Sequence, residues 1–164
     1  MAIGIGLNSG ECCVGNLGSS QRFDYSAIGD NVNVASRFEG LSKVYHVPMV
    51  LGESTVQSIA GLRTIELDLM RVKGREHPTR IYTAFDVLGL DEGLYETISQ
   101  KHTAALGLYR SRDWDGAATA IEECETLCGA GLAGLYAVYR GRIAEWRQNP
   151  PPTDWDGTFT ATSK

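Results

Sequence analysis

Asn33 and Arg37 are the residues whose types and spacing point most directly to chemistry. They sit in the block Phe23-Asp24-Tyr25-Ser26-Ala27-Ile28-Gly29-Asp30-Asn31-Val32-Asn33-Val34-Ala35-Ser36-Arg37-Phe38-Glu39, which reads as a strand turning through Gly29 into an amphipathic helix. One helical turn separates the pair, so both side chains project from one face. An amide donor and a planar guanidinium fork aimed at one point suit a polyphosphate, or the charge that develops on it during reaction. The plainer reading is an exposed helix face with a solvated arginine.

These residues need a scaffold, and the flanking sequence supplies its signals. Ile3-Gly-Ile-Gly-Leu7 and Cys12-Cys-Val-Gly15 read as strand segments on either side of a kink at Asn8-Ser9-Gly10. Positions 24–28 read as a strand, and Asp30 is expected to cap the following helix. That helix is expected to reach about Tyr45, with Val34, Phe38, Leu41 and Tyr45 on its apolar stripe. Short strand signals follow at 48–51, a short helix starts at Ser54-Thr55, and strands over 63–72 and 79–87 flank the turn-rich segment Lys73-Gly74-Arg75-Glu76-His77-Pro78.

The pattern changes near Leu88-Gly-Leu-Asp. From Glu92 onward no strand signal appears, and 97–112, 114–128 and 131–147 read as three helices. The first two resemble a single tetratricopeptide-style pair, too little for a solenoid. Asn149-Pro-Pro-Pro152 stops the last helix, and the extended tail carries Trp155, which suits docking on an apolar surface. The organisation read from sequence is a unit over 1–88, a helical appendage over 89–149 and an extended tail over 150–164.

Bulk properties narrow the classes. A net charge of −5 over 164 residues argues against nucleic acid as a partner, because such proteins carry a basic face. No apolar run approaches the roughly 20 residues of a membrane span, no secretory signal is visible, and a cytoplasmic chain is expected. Cys12 and Cys13 are expected to point to opposite faces of a strand; Cys124 and Cys128 share a helix face. Reduced structural thiols are the expectation, with a metal or redox role for the second pair as the alternative. His46, His77 and His102 are isolated, and surface or packing roles suit them. Gly4, Gly6, Gly10, Gly15 and Gly18 do not form a phosphate-loop string; strand bends or close packing account for them better.

Taken together, the strand Gly4-Ile5-Gly6-Leu7-Asn8-Ser9-Gly10, the segment Val14-Gly15-Asn16-Leu17-Gly18, the central Tyr25–Arg37 block and Arg71-Val72-Lys73-Gly74 resemble class III nucleotide cyclases, in order and spacing, over about residues 3–87. Such enzymes turn ATP or GTP into the 3′,5′-cyclic monophosphate at the interface of two catalytic domains. One domain supplies two metal-binding aspartates; its partner supplies purine-reading residues and a transition-state Asn and Arg. The resemblance implies that Asn33 orients the ribose and its 3′-oxygen, and that Arg37 stabilises charge on the α-phosphate. It implies that Lys73 reaches the terminal phosphates, with Arg75 as the alternative contact. Ser26 stands where the family places an adenine-reading Asp or Thr, or a Cys in guanylate-specific members. A hydroxyl is nearer the Thr pattern, so adenine is favoured and guanine stays open.

The resemblance also implies what lies outside this sequence: a first strand with one metal aspartate, and a hairpin with the second. Mg²⁺ or Mn²⁺ is the implied cofactor, with its ligands in that half. The expected fold is α+β, a partial ferredoxin-like cyclase sheet domain followed by an all-helical appendage. The expected function is that of an adenylate cyclase fragment in signal transduction, acting on ATP and inactive alone. Exposed strand edges imply a homodimer or other self-association, and the helical tail suits a protein partner. The alternative is a non-catalytic dimerisation or regulatory module.

Overall fold

The computed structural model describes residues 3–19, 22–71 and 78–160. Its first long helix, α1 (Asp30–Tyr45), buries Val34, Phe38, Ser42 and Tyr45, at spacings of three and four that line one face. Leu41, expected on that stripe, is only half-buried. The helix lies on a sheet whose strands are β1 (Ile5–Leu7), β4 (Met49–Gly52), β6 (Thr79–Ala84), β5 (Thr64–Arg71) and β7 (Phe159–Thr160), side by side in that order. The outer pairs β1–β4 and β5–β7 are parallel; the inner pairs are antiparallel. A separate antiparallel hairpin is formed by β2 (Cys13–Ser19) and β3 (Arg22–Ile28), and β3 leads directly into α1. A short helix, α2 (Glu53–Gln57), follows β4.

Strand β5 contains a bulge. Glu66 pairs with Tyr82 and Asp68 with Ile81, so Leu67 is the extra residue. Because inward and outward positions alternate along a strand, one extra residue exchanges them. Ile65 is buried before the bulge, Leu67 within it, and Asp68 and Met70 after it. The bulge is what turns the Asp68 carboxylate into the core.

The remaining helices, α3 (Tyr95–Arg110), α4 (Trp114–Cys128) and α5 (Ala133–Gln148), match the three read from sequence to within two residues at each end. They do not stand apart from the sheet. One apolar core runs from Val34 and Phe38 on α1 through Ile65, Leu67 and Ile81 to Leu106, Ile121, Tyr136 and Ile143. The Asp113 side chain caps α4 by accepting from the Gly116 N–H.

Two expectations are corrected. Asp30 does not cap α1: Gly29 occupies the cap position with no side-chain hydrogen bond, at φ 147°, a conformation glycine adopts readily. Asp30 lies one residue inside, where its charge still favours the positive helix end. The segment after Glu92 is also not free of strand, because β7 joins β5 at Met70–Phe159 and Arg71–Thr160. Two residues are too few to show alternation in sequence. Trp155 does dock on an apolar surface: its ring meets Trp146 edge-on at 4.4 Å within a cluster that includes Tyr109 and Trp114.

Candidate functional site

The position of α1 is set at three levels. Beneath its middle, β1 presents Gly6, where a Cβ would stand 2.2 Å from the Ala35 carbonyl oxygen and 2.3 Å from the Glu39 nitrogen. Those are backbone atoms, so only glycine lets the helix approach so closely. Ala35 and Glu39 bracket Arg37, and Gly6 therefore fixes the height at which that arginine is held.

At the helix start, side-chain amides do the work. Asn8 Nδ2 donates to Asn31 Oδ1 at 3.1 Å, and Asn31 Nδ2 donates to the Glu11 carbonyl at 3.0 Å. Ser54 Oγ donates to the Ser9 carbonyl at 2.9 Å, and Ser9 Oγ donates to Thr55 Oγ1 at 3.1 Å. The kink at Asn8-Ser9-Gly10 is thereby tied to α1 on one side and α2 on the other. Sequence reasoning saw this kink only as a bend; the Asn8–Asn31 pairing, 23 positions apart, left no local signal.

At the far end, Tyr45 is fully buried. Its hydroxyl donates to Asp68 Oδ2 at 2.6 Å, Arg142 Nη1 donates to the same oxygen at 2.6 Å, and Arg142 Nη2 donates to the Tyr45 hydroxyl at 3.1 Å. Burial, and the Asp68 charge beside it, push the Tyr45 phenol well above its usual range. Burial works against the Arg142 charge, but Asp68 and the surrounding tyrosines outweigh it and raise its pKa.

On this frame Asn33 and Arg37 are both exposed, to one side of the buried stripe of α1. Ser26 is half-buried at the middle of β3, paired with Gly15 of β2. Lys73, and Arg75 as its alternative, lie outside the described residues. An open cleft lined by Glu11, Cys12, Cys13, Ile28 and Gly29 borders the turn into α1. Cys12 and Cys13 are exposed; Cys124 and Cys128 are free and buried, and burial pushes both of those thiols up. Among the described residues no group of three or more His, Cys, Asp or Glu gathers that could hold a metal ion. The carboxylates for the Mg²⁺ or Mn²⁺ that the resemblance implies are expected outside them. No helix among them is long and apolar enough to cross a membrane.

Residues 1–90 match the adenylate and guanylate cyclase catalytic domain family. An adenylate cyclase of Anabaena cylindrica is 37% identical over 86 residues, which is 50% of this chain and 17% of that protein. Adenylate cyclase 1 of Rhizobium meliloti (strain 1021) is 33% identical over 84 residues, 51% of this chain and 13% of that protein. The crystal structure of the adenylyl cyclase CyaB from P. aeruginosa aligns at a TM-score of 0.44 with 35% identity, covering 49% of this chain and 41% of that one. The chain thus spans less than a fifth of the length of these two curated relatives.

Proposed function

The chain belongs to the adenylate and guanylate cyclase catalytic domain family, and from that premise we propose that it supplies the nucleotide side of a site forming 3′,5′-cyclic AMP and pyrophosphate from ATP. The observation that carries this reading is the exposed pair Asn33 and Arg37 on a helix held from three directions. In the reaction the ribose 3′-oxygen attacks the α-phosphorus, the bond to the oxygen bridging to the β-phosphate breaks, and the 3′-hydroxyl proton passes to solvent. Arg37 lies against the α-phosphate and stabilises the charge that builds there; Asn33 orients the ribose. Ser26 exchanges a hydrogen bond with the purine edge, and Lys73 meets the terminal phosphates. Mg²⁺ or Mn²⁺ would take its carboxylate ligands from outside the described residues, so the chain alone is expected to be inactive.

By role the chain divides at the boundaries read from sequence: chemistry over 1–88, helices over 89–149 and a tail over 150–164. A second copy is the proposed partner, in the cytoplasm. Strand β1 is an outer strand of the described sheet, and Leu7, Val14, Tyr25 and Ile28 are exposed. The same apolar side chains also favour a second reading, a non-catalytic dimerisation module.

One experiment separates the two. A metal-binding cyclase half is added in trans with Mn²⁺ and ATP, GTP is run as the competing substrate, and wild type is compared with Arg37→Ala. Loss of an oxyanion-type donor is expected to lower turnover about 10²–10³-fold. ATP-analogue binding by the chain that ignores Arg37→Ala, with no turnover from a folded pair, favours the module.

A further inference from the structure

We propose that Arg142 is a positioning residue for the signature helix, and that Phe159 of the tail is the lid that keeps it there. Residues 91–160, beyond the family match, would thus be part of the machinery that holds Asn33 and Arg37. The inference deepens the cyclase reading and rests on it for the nucleotide readout only.

The cluster joins four elements. Tyr45 comes from α1, Asp68 from β5, Arg142 from α5 and Phe159 from β7. Both Asp68 oxygens are satisfied, Oδ2 by Tyr45 and Arg142, Oδ1 by the Leu69 N–H at 2.8 Å. The guanidinium carbon of Arg142 lies over the Phe159 ring, 3.6 Å from its centre, a close cation–π contact. The tail is held there by its own bonds: Arg71 pairs with Asp156 at 2.8 Å, and Arg112 Nη2 donates to the Thr153 carbonyl at 2.9 Å.

Tyr45 and Arg37 lie on one rigid helix, two turns apart. A displacement at Tyr45 is therefore passed along α1 rather than absorbed. Arg142 also reaches, through Asp68, the strand that β7 flanks at Met70 and Arg71. One guanidinium thus sets the spacing between the signature helix and the outer half of the sheet. A two-residue strand and one ring form a slight closure, so the tail is the part that can yield first.

The test compares the full chain with Phe159→Ala, Arg142→Lys and Arg142→Gln. Lys keeps a charge for Asp68 but loses the flat face and the second N–H. Amide exchange is read across 30–45 and across 114–128, and ATP-analogue affinity is read under conditions where each variant is folded. Faster exchange confined to 30–45 in Phe159→Ala and Arg142→Lys, with affinity reduced about threefold to tenfold, supports the proposal. Unchanged exchange in 30–45 and unchanged affinity overturn it, as does loss confined to stability. A wild type that binds no analogue even with the metal-binding half and Mn²⁺ present sinks the cyclase reading; the exchange arm then decides the positioning role alone. Should Arg142→Gln fail to fold, Phe159→Ala carries the decision.

Discussion

The two halves of this chain treat their apolar side chains differently. Among the described residues, the large apolar side chains that are exposed all precede Leu88, with Ile3 at 73%, Tyr25 at 76% and Val14 at 55%. In α3, α4 and α5 the corresponding residues are shut in: Ile98, Leu106, Tyr109, Ile121, Leu135, Tyr136 and Ile143 are each 2% exposed or less. The helical half is finished as a surface, and the signature half is not. These exposed apolar groups are the ones that the proposed second copy would cover. The helices do not cover it; they brace the sheet from elsewhere, through Asp68, Glu66 and Leu67 of β5.

If bracing is what the helical half contributes, its polar keys should matter most. Arg142→Ala leaves the Asp68 carboxylate buried and uncompensated, and should cost about 3–5 kcal/mol in a urea titration. A loss under about 1 kcal/mol would break the comparison, because the helices would then be mere passengers.

Next in size is acid. His102 is buried; its Nε2 lies 2.6 Å from the Glu66 carbonyl and its Nδ1 3.2 Å from the Tyr136 hydroxyl. The carbonyl can only accept, so Nε2 carries the proton and Tyr136 donates to Nδ1. Burial pushes this imidazole down from 6.5 to about 4. The unfolded chain therefore takes up a proton between those values that the folded chain refuses. The stabilisation is complete above pH 6.5 and falls away as pH drops toward 4, by about 3 kcal/mol. Thermal midpoints of wild type and His102→Gln across that window should converge at the acid end; parallel curves would count against the buried neutral histidine.

In the signature half the backbone, not a charge, is the sensitive point. Gly6→Ala forces a Cβ onto helix backbone and should cost about 1–3 kcal/mol while loosening α1, measured by denaturation and amide exchange. The smallest effect sharpens the contrast: Tyr25→Ser should shift stability by no more than about 0.5 kcal/mol. The same substitution should weaken self-association in sedimentation. A clear loss of stability would mean that Tyr25 is packed after all.

Much of this was legible from residue order. The apolar spacing Val34, Phe38, Tyr45 announces α1, and the offset of Asn33 and Arg37 puts them on one face, where both are exposed. Of the glycines for which the sequence suggests strand bends or close packing, Gly4 and Gly6 are closely packed, whereas Gly15 has open space where a Cβ would stand. What could not be read came from distant partners. Arg142 looks like any helix-surface arginine until Asp68 is seen beside it, and Asp68 looks outward until the bulge at Leu67 reverses the alternation. Phe159 and Thr160 carry no strand pattern of their own; the open edge of β5 makes them a strand.

The Arg142–Asp68 pair also has a consequence for the order in which the chain can be finished during synthesis. The two residues are 74 positions apart, and Tyr45 is 97 from Arg142. At ribosomal rates of about 5–20 residues per second, Asp68 is made roughly 4–15 s before its counter-charge. Through that interval the carboxylate stays in water, and β5 cannot settle into its final burial. The nascent sheet waits, open, for a helix still to be translated, and a chain halted at the family boundary near residue 90 would keep waiting.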